Sequence, residues 1–269
     1  MPFLESLGAS LHYEIADGLF PRDILFIHGN LASNLWWQPA LSEWKFKRSG
    51  AEKYPGRAVF MEWRGFGKSS APNTSADLTI ERLAQDSLSL VNFLGMHRPG
   101  LIGHSMGGGI ALQAILDSPG TFDSALLLNP VPSSGYYSSP KQLALIDRMR
   151  VDQRICFTVM ASTILNAHKI EEDFLERIAA DAFGAANLNW RGVPEQTMSF
   201  NLQPRLNKVT IPIALIHGEH DHICSLADSE KTVSLIPGAQ LIKVPTGGHS
   251  LNVENPKEFV RLADEFFQA

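Results

Sequence analysis

The sequence predicts an α/β fold in which a mostly parallel central sheet is flanked by helices on both faces. Short apolar runs such as DILFIHG (23–29) and RAVFMEW (57–63) are typical of strands buried on both sides. Longer segments with helical periodicity lie between these runs. Such alternation produces parallel strands joined by crossover helices. The 269 residues are enough to bury a substantial core.

The strand predictions follow the chain from its start. SLHYEI (10–15) alternates apolar and polar residues, which predicts a half-buried strand, and the ADG that follows predicts a turn at 16–18. Continuous apolar runs then predict buried strands in DILFIHG, RAVFMEW, RPGLIGH, SALLLNP and IPIALIHG, and a further strand in AQLIKV (239–244). Together they supply the sheet.

Two helices outside the central region are clear from their pattern. In residues 78–95 the apolar side chains recur on one face, and Gly95 ends the helix; these side chains are Ile80, Leu83, Leu88, Val91 and Leu94. The last segment begins with Asn255 as the expected N-cap and Pro256 at the first helical position.

The region from 132 to 205 interrupts the alternation, because it contains helical patterns and no strand-like run. Ser138 or Ser139 before Pro140 signals the start of its first helix. We therefore expect an α/β core formed by residues 1–131 and 206–269, with residues 132–205 inserted as a helical cap over the sheet.

Composition and charge narrow the class of protein. The chain is 44% hydrophobic and 19% charged with a net charge of −5, which argues against a nucleic-acid partner. No apolar run is long enough for a transmembrane helix, and the N-terminus lacks the features of a secretory signal. We expect a cytoplasmic protein with no membrane partner, and Cys156 and Cys224 as packing thiols. The oligomeric state is not readable from the sequence.

The stretch GHSMG (103–107) matches the pattern G-x-S-x-G, with an apolar strand before it and a small-residue helix after it. This context is typical of a strained turn that lifts a serine hydroxyl above the sheet as a nucleophile. Bulky residues two positions away would clash, so Gly103 and Gly107 are expected there. The backbone N–H of Met106 then lies at a helix start, where negative charge is favoured.

Nucleotide binding is the alternative interpretation of these glycines, and it fails on spacing. Gly103 is followed two residues later by Ser105 rather than by glycine, so no dinucleotide motif can be placed at this turn. In GFGKSS (65–70), a phosphate-binding loop would need glycine where Glu62 stands.

A nucleophilic serine needs a base within hydrogen-bond reach and an acid that orients the base. Asp221 follows the predicted strand IPIALIHG, and His249 follows the predicted strand AQLIKV. Both therefore lie at the carboxyl edge of the sheet, where Ser105 also lies. Glu219 and Asp228 are alternative acids. His217, His220 and His222 surround Asp221, but no further loop completes a metal site.

Five motifs in this order resemble the α/β-hydrolase superfamily. They are the oxyanion segment FIHGN (26–30), the loop EWRGFGKSS (62–70), the nucleophile elbow GHSMGG, the acid loop HGEHD and the histidine loop GGHSLNVENP. Glu62 stands where the superfamily usually has aspartate. The likeness covers essentially the whole chain except the helical insertion.

The resemblance implies a catalytic triad of Ser105, His249 and Asp221. It also implies an oxyanion hole formed by the backbone N–H groups of Asn30 and Met106. The chemistry implied is that of an esterase- or lactonase-like serine hydrolase that cleaves a small ester, thioester or lactone through an acyl-enzyme, without metal or organic cofactor.

The substrate is expected to be a small molecule with an apolar acyl group or ring. Trp36 and Trp37 follow the oxyanion segment, and Met160 lies in the insertion, so these three are the candidate pocket residues. A C–C bond hydrolase of ring-cleavage products and a non-catalytic small-molecule receptor on the same fold remain alternatives.

Overall fold

The computed structural model describes residues 2–50 and 53–268, and its centre is an eight-stranded sheet. The strands are β1 (Phe3–Ser6), β2 (Ala9–Phe20), β3 (Ile24–Ile27), β4 (Gly56–Met61), β5 (Gly100–His104), β6 (Ser124–Leu128), β7 (Ile213–Gly218) and β8 (Gln240–Val244). Every strand predicted from an apolar run forms, and the predicted α/β fold class is confirmed.

The strand order is β1-β2-β4-β3-β5-β6-β7-β8. From β4 to β8 all neighbouring strands are parallel, whereas β2 pairs antiparallel with both β1 and β4. The carboxyl ends of β3, β5, β6, β7 and β8 therefore meet at one edge. Loops that leave these five strands are brought together there, although they are far apart in sequence.

Helices cover both faces of the sheet. The helices outside the insertion are α1 (Gln38–Lys47), α2 (Ile80–Phe93), α3 (Met106–Asp117), α8 (Leu226–Leu235), α9 (Leu251–Glu254) and α10 (Pro256–Gln268). Along each central strand, alternate side chains enter two separate hydrophobic clusters. One cluster includes α1 and α10, and the other includes α2 and α3.

One local prediction is wrong. The turn expected at residues 16–18 does not form, because β2 continues through this segment to Phe20. The pairing of β2 with β4 shifts between Asp17 and Phe20, and Gly18 has φ +81°. The glycine is accommodated as a β-bulge, since the paired strand β4 continues to supply hydrogen-bonding partners on either side of it.

Between β6 and β7 the chain forms four α-helices, which are α4 (Pro140–Val151), α5 (Gln153–Ser162), α6 (Glu172–Phe183) and α7 (Asn187–Thr197). Ser139 caps α4 with a capping box to Gln142, and Asp152 caps α5. The buried residues of these helices share one hydrophobic cluster with β3, α2 and α3. The insertion thus packs directly on one face of the core.

Among the described residues, no helix has both the length and the apolar character needed to cross a lipid bilayer.

Candidate active site

Ser105 lies on a sharp turn between β5 and α3. Its backbone has φ 53° and ψ −119°, a conformation that costs about 1–3 kcal/mol for a residue with a side chain. The turn is held by hydrogen bonds on both sides: the Ser105 N–H donates to the Leu128 carbonyl at 2.9 Å, and its own carbonyl accepts from Val131 N–H at 3.1 Å. The surrounding strands therefore stabilise the strained residue.

Gly103 and Gly107 are required by close packing around this turn. A Cβ at Gly103 would lie 2.5 Å from the Gly107 carbonyl oxygen, and a Cβ at Gly107 would lie 2.1 Å from the Ile27 carbonyl oxygen. Both distances are well inside van der Waals contact. The helix α3 can start this close to β3 and β5 only because both positions lack a side chain.

Asp221 lies on the loop after β7, and its carboxylate accepts four hydrogen bonds. Oδ1 accepts from the backbone N–H groups of Ile223 (2.7 Å) and Cys224 (3.1 Å). Oδ2 accepts from Asn129 Nδ2 at 2.6 Å and contacts His249 Nδ1 at 2.8 Å. Burial alone would raise the pKa of Asp221, but these hydrogen bonds, foremost the one with His249, outweigh it and lower the pKa to about 2.

His249 lies on the loop after β8 and is buried. Because Asp221 is ionised at neutral pH, it can only accept, so Nδ1 of His249 carries the proton of their shared hydrogen bond. Nε2 is then the free basic nitrogen. His104, the residue before Ser105, donates from Nε2 to the His249 carbonyl at 3.0 Å, and the two rings are 5.0 Å apart. The histidine loop therefore packs directly against the serine turn.

The loop after β3 lies over the same serine. A Cβ at Gly29 would be 3.1 Å from the Ser105 Cβ, so the backbone preceding Asn30 approaches the serine closely. Met106 begins α3 on the other side of Ser105. The first N–H groups of a helix have no partner within it, and its dipole favours negative charge there.

The family model described as "Alpha/beta hydrolase family" matches residues 24–262. The chain belongs to this family. The prediction of a hydrolase on this fold is thereby confirmed.

Several known proteins resemble the hydrolase along most of its length. A putative carbamate hydrolase RutD from Variovorax paradoxus is 26% identical over 264 residues, covering 95% of each chain. A protein of the same name from Pseudomonas savastanoi is 28% identical over 213 residues, covering 76% of this chain and 81% of its relative.

Solved structures share the fold. An esterase from Exiguobacterium antarcticum superposes with a TM-score of 0.87 at 19% identity, covering 99% of both chains. The enol-lactonase from Burkholderia xenovorans LB400 gives 0.83 at 21% identity, covering 100% of both.

The alternative acids of the hydrolase have other surroundings. Asp228 belongs to the first turn of α8 and accepts a hydrogen bond from the Ser225 hydroxyl at 2.6 Å. Glu219 is exposed to solvent. Asp221 is thus the one of these three carboxylates that contacts His249.

The other histidines near the serine are buried as neutral rings. Burial lowers the pKa of His28 to about 4. Burial and, second, the proximity of His249 lower the pKa of His104 to about 3. His28 stacks on Trp63 with ring centroids 5.4 Å apart. Both residues pack and support the site.

Potential metal ligands come together around Asp221, but they do not include the histidines that surround it in sequence. In the described part of the chain, the group of three consists of Asp221, Cys224 and His249, whose donor atoms lie within 4.8 Å of one another. His217 instead contacts the Ser229 hydroxyl at 2.9 Å. Burial, and then the charge of Asp221, raises the pKa of the Cys224 thiol well above its ordinary value.

Sequence reasoning missed Asn129, which follows β6 and donates to Asp221 at 2.6 Å. It lies 92 residues from Asp221 in sequence. The available signal was its place directly after an apolar strand, at the same sheet edge as the other site residues. Its φ of 43° is also one that asparagine tolerates better than most residues.

The three candidate pocket residues differ in position. Trp36 is buried with its ring 6.2 Å from that of His104, and Met160 is buried in α5. Trp37 is 1% exposed and packs against Phe26 and Phe259 in the cluster that includes α1 and α10. Its ring also lies 6.3 Å from the ring of His104, at nearly the same distance as the ring of Trp36.

Proposed function

We propose that the chain is a serine hydrolase that cleaves a small ester, thioester or lactone through an acyl-enzyme on Ser105. The observation that carries the proposal is the hydrogen-bonded chain of groups next to a serine in a strained backbone conformation. Asp221 accepts from His249 at 2.8 Å, and His249 bonds through its carbonyl to the residue preceding Ser105. Such strain is typical of functional positions.

In the proposed reaction, His249 Nε2 takes the proton of the Ser105 hydroxyl while Oγ attacks the carbonyl carbon of the substrate. The tetrahedral intermediate collapses, the bond to the leaving group breaks, and the leaving group takes the proton from His249. Water then attacks the acyl-enzyme by the same route and releases the acid. Asp221 stays ionised throughout and holds the imidazole in the required tautomer.

The backbone N–H groups of Asn30 and Met106 are the proposed oxyanion hole. Each donor of this kind stabilises the transition state by about 3–4 kcal/mol. The close approach of the Gly29 backbone to Ser105 and the helix start at Met106 support this assignment.

We further propose that residues 132–205 act as a cap and that Trp36, Trp37 and Met160 contribute to an apolar acyl pocket. The shared hydrophobic cluster of the insertion and the core supports this assignment. If the pocket is apolar, p-nitrophenyl esters of graded chain length should be preferred over esters with charged acyl groups. A strong preference for charged acyl groups would contradict the pocket.

Carbamate cleavage is a second candidate, and it rests on the names of the RutD relatives. A carbamate carbonyl can be attacked by the same serine, so the two functions differ in the pocket and not in the triad. Release of ammonia from a small unsubstituted carbamate at a rate exceeding ester hydrolysis would favour this candidate.

The decisive test is labelling by a fluorophosphonate probe combined with ester turnover. The Ser105→Ala variant should lose both labelling and turnover, whereas Ser87→Ala, which changes a buried serine in α2, should retain both. Labelling without ester turnover would favour the C–C bond hydrolase or the receptor. Absence of labelling in well-folded protein would refute the proposed triad.

A further inference from the structure

Glu254, at the end of α9, has a carboxylate that accepts three backbone hydrogen bonds. Oε2 accepts from Gly248 N–H at 2.6 Å, and Oε1 accepts from Ser250 N–H at 2.9 Å. Oε1 also accepts from Leu165 N–H, in the helical insertion, at 3.0 Å. Among the described residues, no lysine, arginine or histidine forms an ion pair with Glu254, so N–H dipoles solvate its charge.

The first two donors are the residues on either side of His249. The chain turns back on itself here, because Glu254 N–H also donates to the Ser250 carbonyl at 2.9 Å. The carboxylate therefore closes a short loop with His249 at its centre. Since the loop backbone determines where the imidazole can lie, Glu254 controls the position of the ring without contacting the reacting atoms.

The third donor joins this loop to the insertion. A Cβ at Gly248 would lie 2.7 Å from the Leu165 Cβ and 2.7 Å from Glu254 Oε1, so the approach is possible only at a glycine. The Ser250 hydroxyl makes a second contact, donating to the Thr163 carbonyl at 3.5 Å. Segment 163–165 therefore contacts the histidine loop through two hydrogen bonds and through close packing at Gly248.

We propose that Glu254 is a positioning residue that holds His249 and docks segment 163–165 of the insertion as a single unit. The proposal rests on the function proposed above. It implies that displacement of this segment, for example when substrate enters, also moves the base. Access to the site and alignment of the base are then coupled through one carboxylate.

Glu254→Gln separates positioning from simple packing. Glutamine has the same shape, but one of its terminal atoms is an N–H₂ donor, which would face either Gly248 N–H or the N–H groups of Ser250 and Leu165. We expect kcat on a p-nitrophenyl ester to fall about 100-fold, the loss typical of a small misplacement of a catalytic group, with KM nearly unchanged. Glu254→Ala should behave similarly.

Asp264→Asn is the matched control. Asp264 is another buried carboxylate, and it accepts from Trp44 and Arg48 at 3.0 Å each, between α10 and α1. This variant should lose thermal stability but keep kcat. If Glu254→Gln keeps kcat, or if both variants lose kcat in proportion to their stability, the positioning role is refuted.

Hydrogen exchange of the amides of Leu165, Gly248 and Ser250 provides a readout that does not depend on catalysis. In Glu254→Gln all three should exchange faster together, and unchanged exchange would overturn the inference. If the wild-type protein neither reacts with the fluorophosphonate nor hydrolyses esters, the proposed function has failed. The exchange result then still decides whether Glu254 couples the two segments.

Discussion

Asp221→Asn is the most informative single change in this hydrolase. The amide oxygen can still accept from Ile223 and Cys224 N–H, as Oδ1 does now. The amide nitrogen would then face Asn129 Nδ2 and the protonated Nδ1 of His249, which are both donors. The substitution keeps the shape of the side chain but replaces the acceptor that faces Asn129 and His249 with a donor.

The energetic cost follows from the pKa of Asp221. Lowering this pKa from 3.8 to about 2 corresponds to about 2 kcal/mol of folding stability. Because the folded-state pKa is the lower one, this contribution is complete above pH 4 and is lost as the pH falls through about 2. The Asn129 N–H left unpaired adds about 1–3 kcal/mol, so the total loss is about 3–5 kcal/mol at pH 7.

The loss of activity should be larger than the loss of stability. An asparagine at this position holds His249 in the wrong tautomer, and the expected decrease in kcat is roughly 10⁴-fold. The assay is p-nitrophenyl ester hydrolysis, together with urea unfolding at pH 7, 5, 4 and 3. The stability difference between wild type and variant should narrow at the lowest pH values.

Asp228→Asn is the control, because Asp228 is one of the two alternative acids that the sequence offers. It should leave kcat within about twofold, since its carboxylate bonds within the first turn of α8. A large loss of kcat in Asp228→Asn with little loss in Asp221→Asn would refute the assignment of the acid. A stability difference that does not change between pH 7 and pH 3 would refute the electrostatic account.

Three further predictions concern packing and reactivity. Gly107→Ala should lower the free energy of unfolding by about 3 kcal/mol in thermal melts, because its Cβ would lie 2.1 Å from a β3 carbonyl oxygen. The control is Gly184→Ala, whose Cβ would have no neighbour nearer than 3.4 Å and which should lower the free energy of unfolding far less. The Cys224 thiol should not react with a chromogenic aromatic disulfide until the protein unfolds, because burial raises its pKa; rapid reaction in the native state would contradict this. Arg64→Leu should lower the unfolding free energy measured in urea by about 3–5 kcal/mol, because the buried carboxylate of Asp86 loses the Arg64 Nε that now lies 2.5 Å from its Oδ2. A loss below 1 kcal/mol would contradict this account of the buried ion pair.

Much of the architecture could be predicted from local patterns. The apolar runs predict every strand from β3 to β7, because a strand buried on both faces must be continuously apolar. β8 lies at the edge of the sheet and is only partly buried, as the mixed pattern of AQLIKV allows. The serine turn is also a local feature, since its glycines are required by atoms within a few residues or on the adjacent strand. Ser105, Asp221 and His249 follow β5, β7 and β8, so the parallel sheet brings all three to the same carboxyl edge.

Position within the tertiary structure decided the remaining assignments. Glu219, Asp221 and Asp228 all follow β7 closely; the resemblance implied Asp221, and the structure places its carboxylate 2.8 Å from Nδ1 of His249, 28 residues away. Trp36 and Trp37 are adjacent in sequence but belong to different hydrophobic clusters. The bulge in β2 likewise depends on its pairing with β4.

The sequence by itself determined the fold class, the family and the carboxyl edge of the sheet as the site, because these depend on periodicity and short-range sterics. Only the tertiary structure revealed that Asn129 donates to Asp221 and that Glu254 accepts from both neighbours of His249. Their hydrogen bonds join residues 92 and 89 positions apart, Asn129 to Asp221 and Leu165 to Glu254. A hydrogen bond requires its donor and acceptor to be positioned to within a few tenths of an ångström. No local sequence pattern determines the relative position of groups so far apart in the chain.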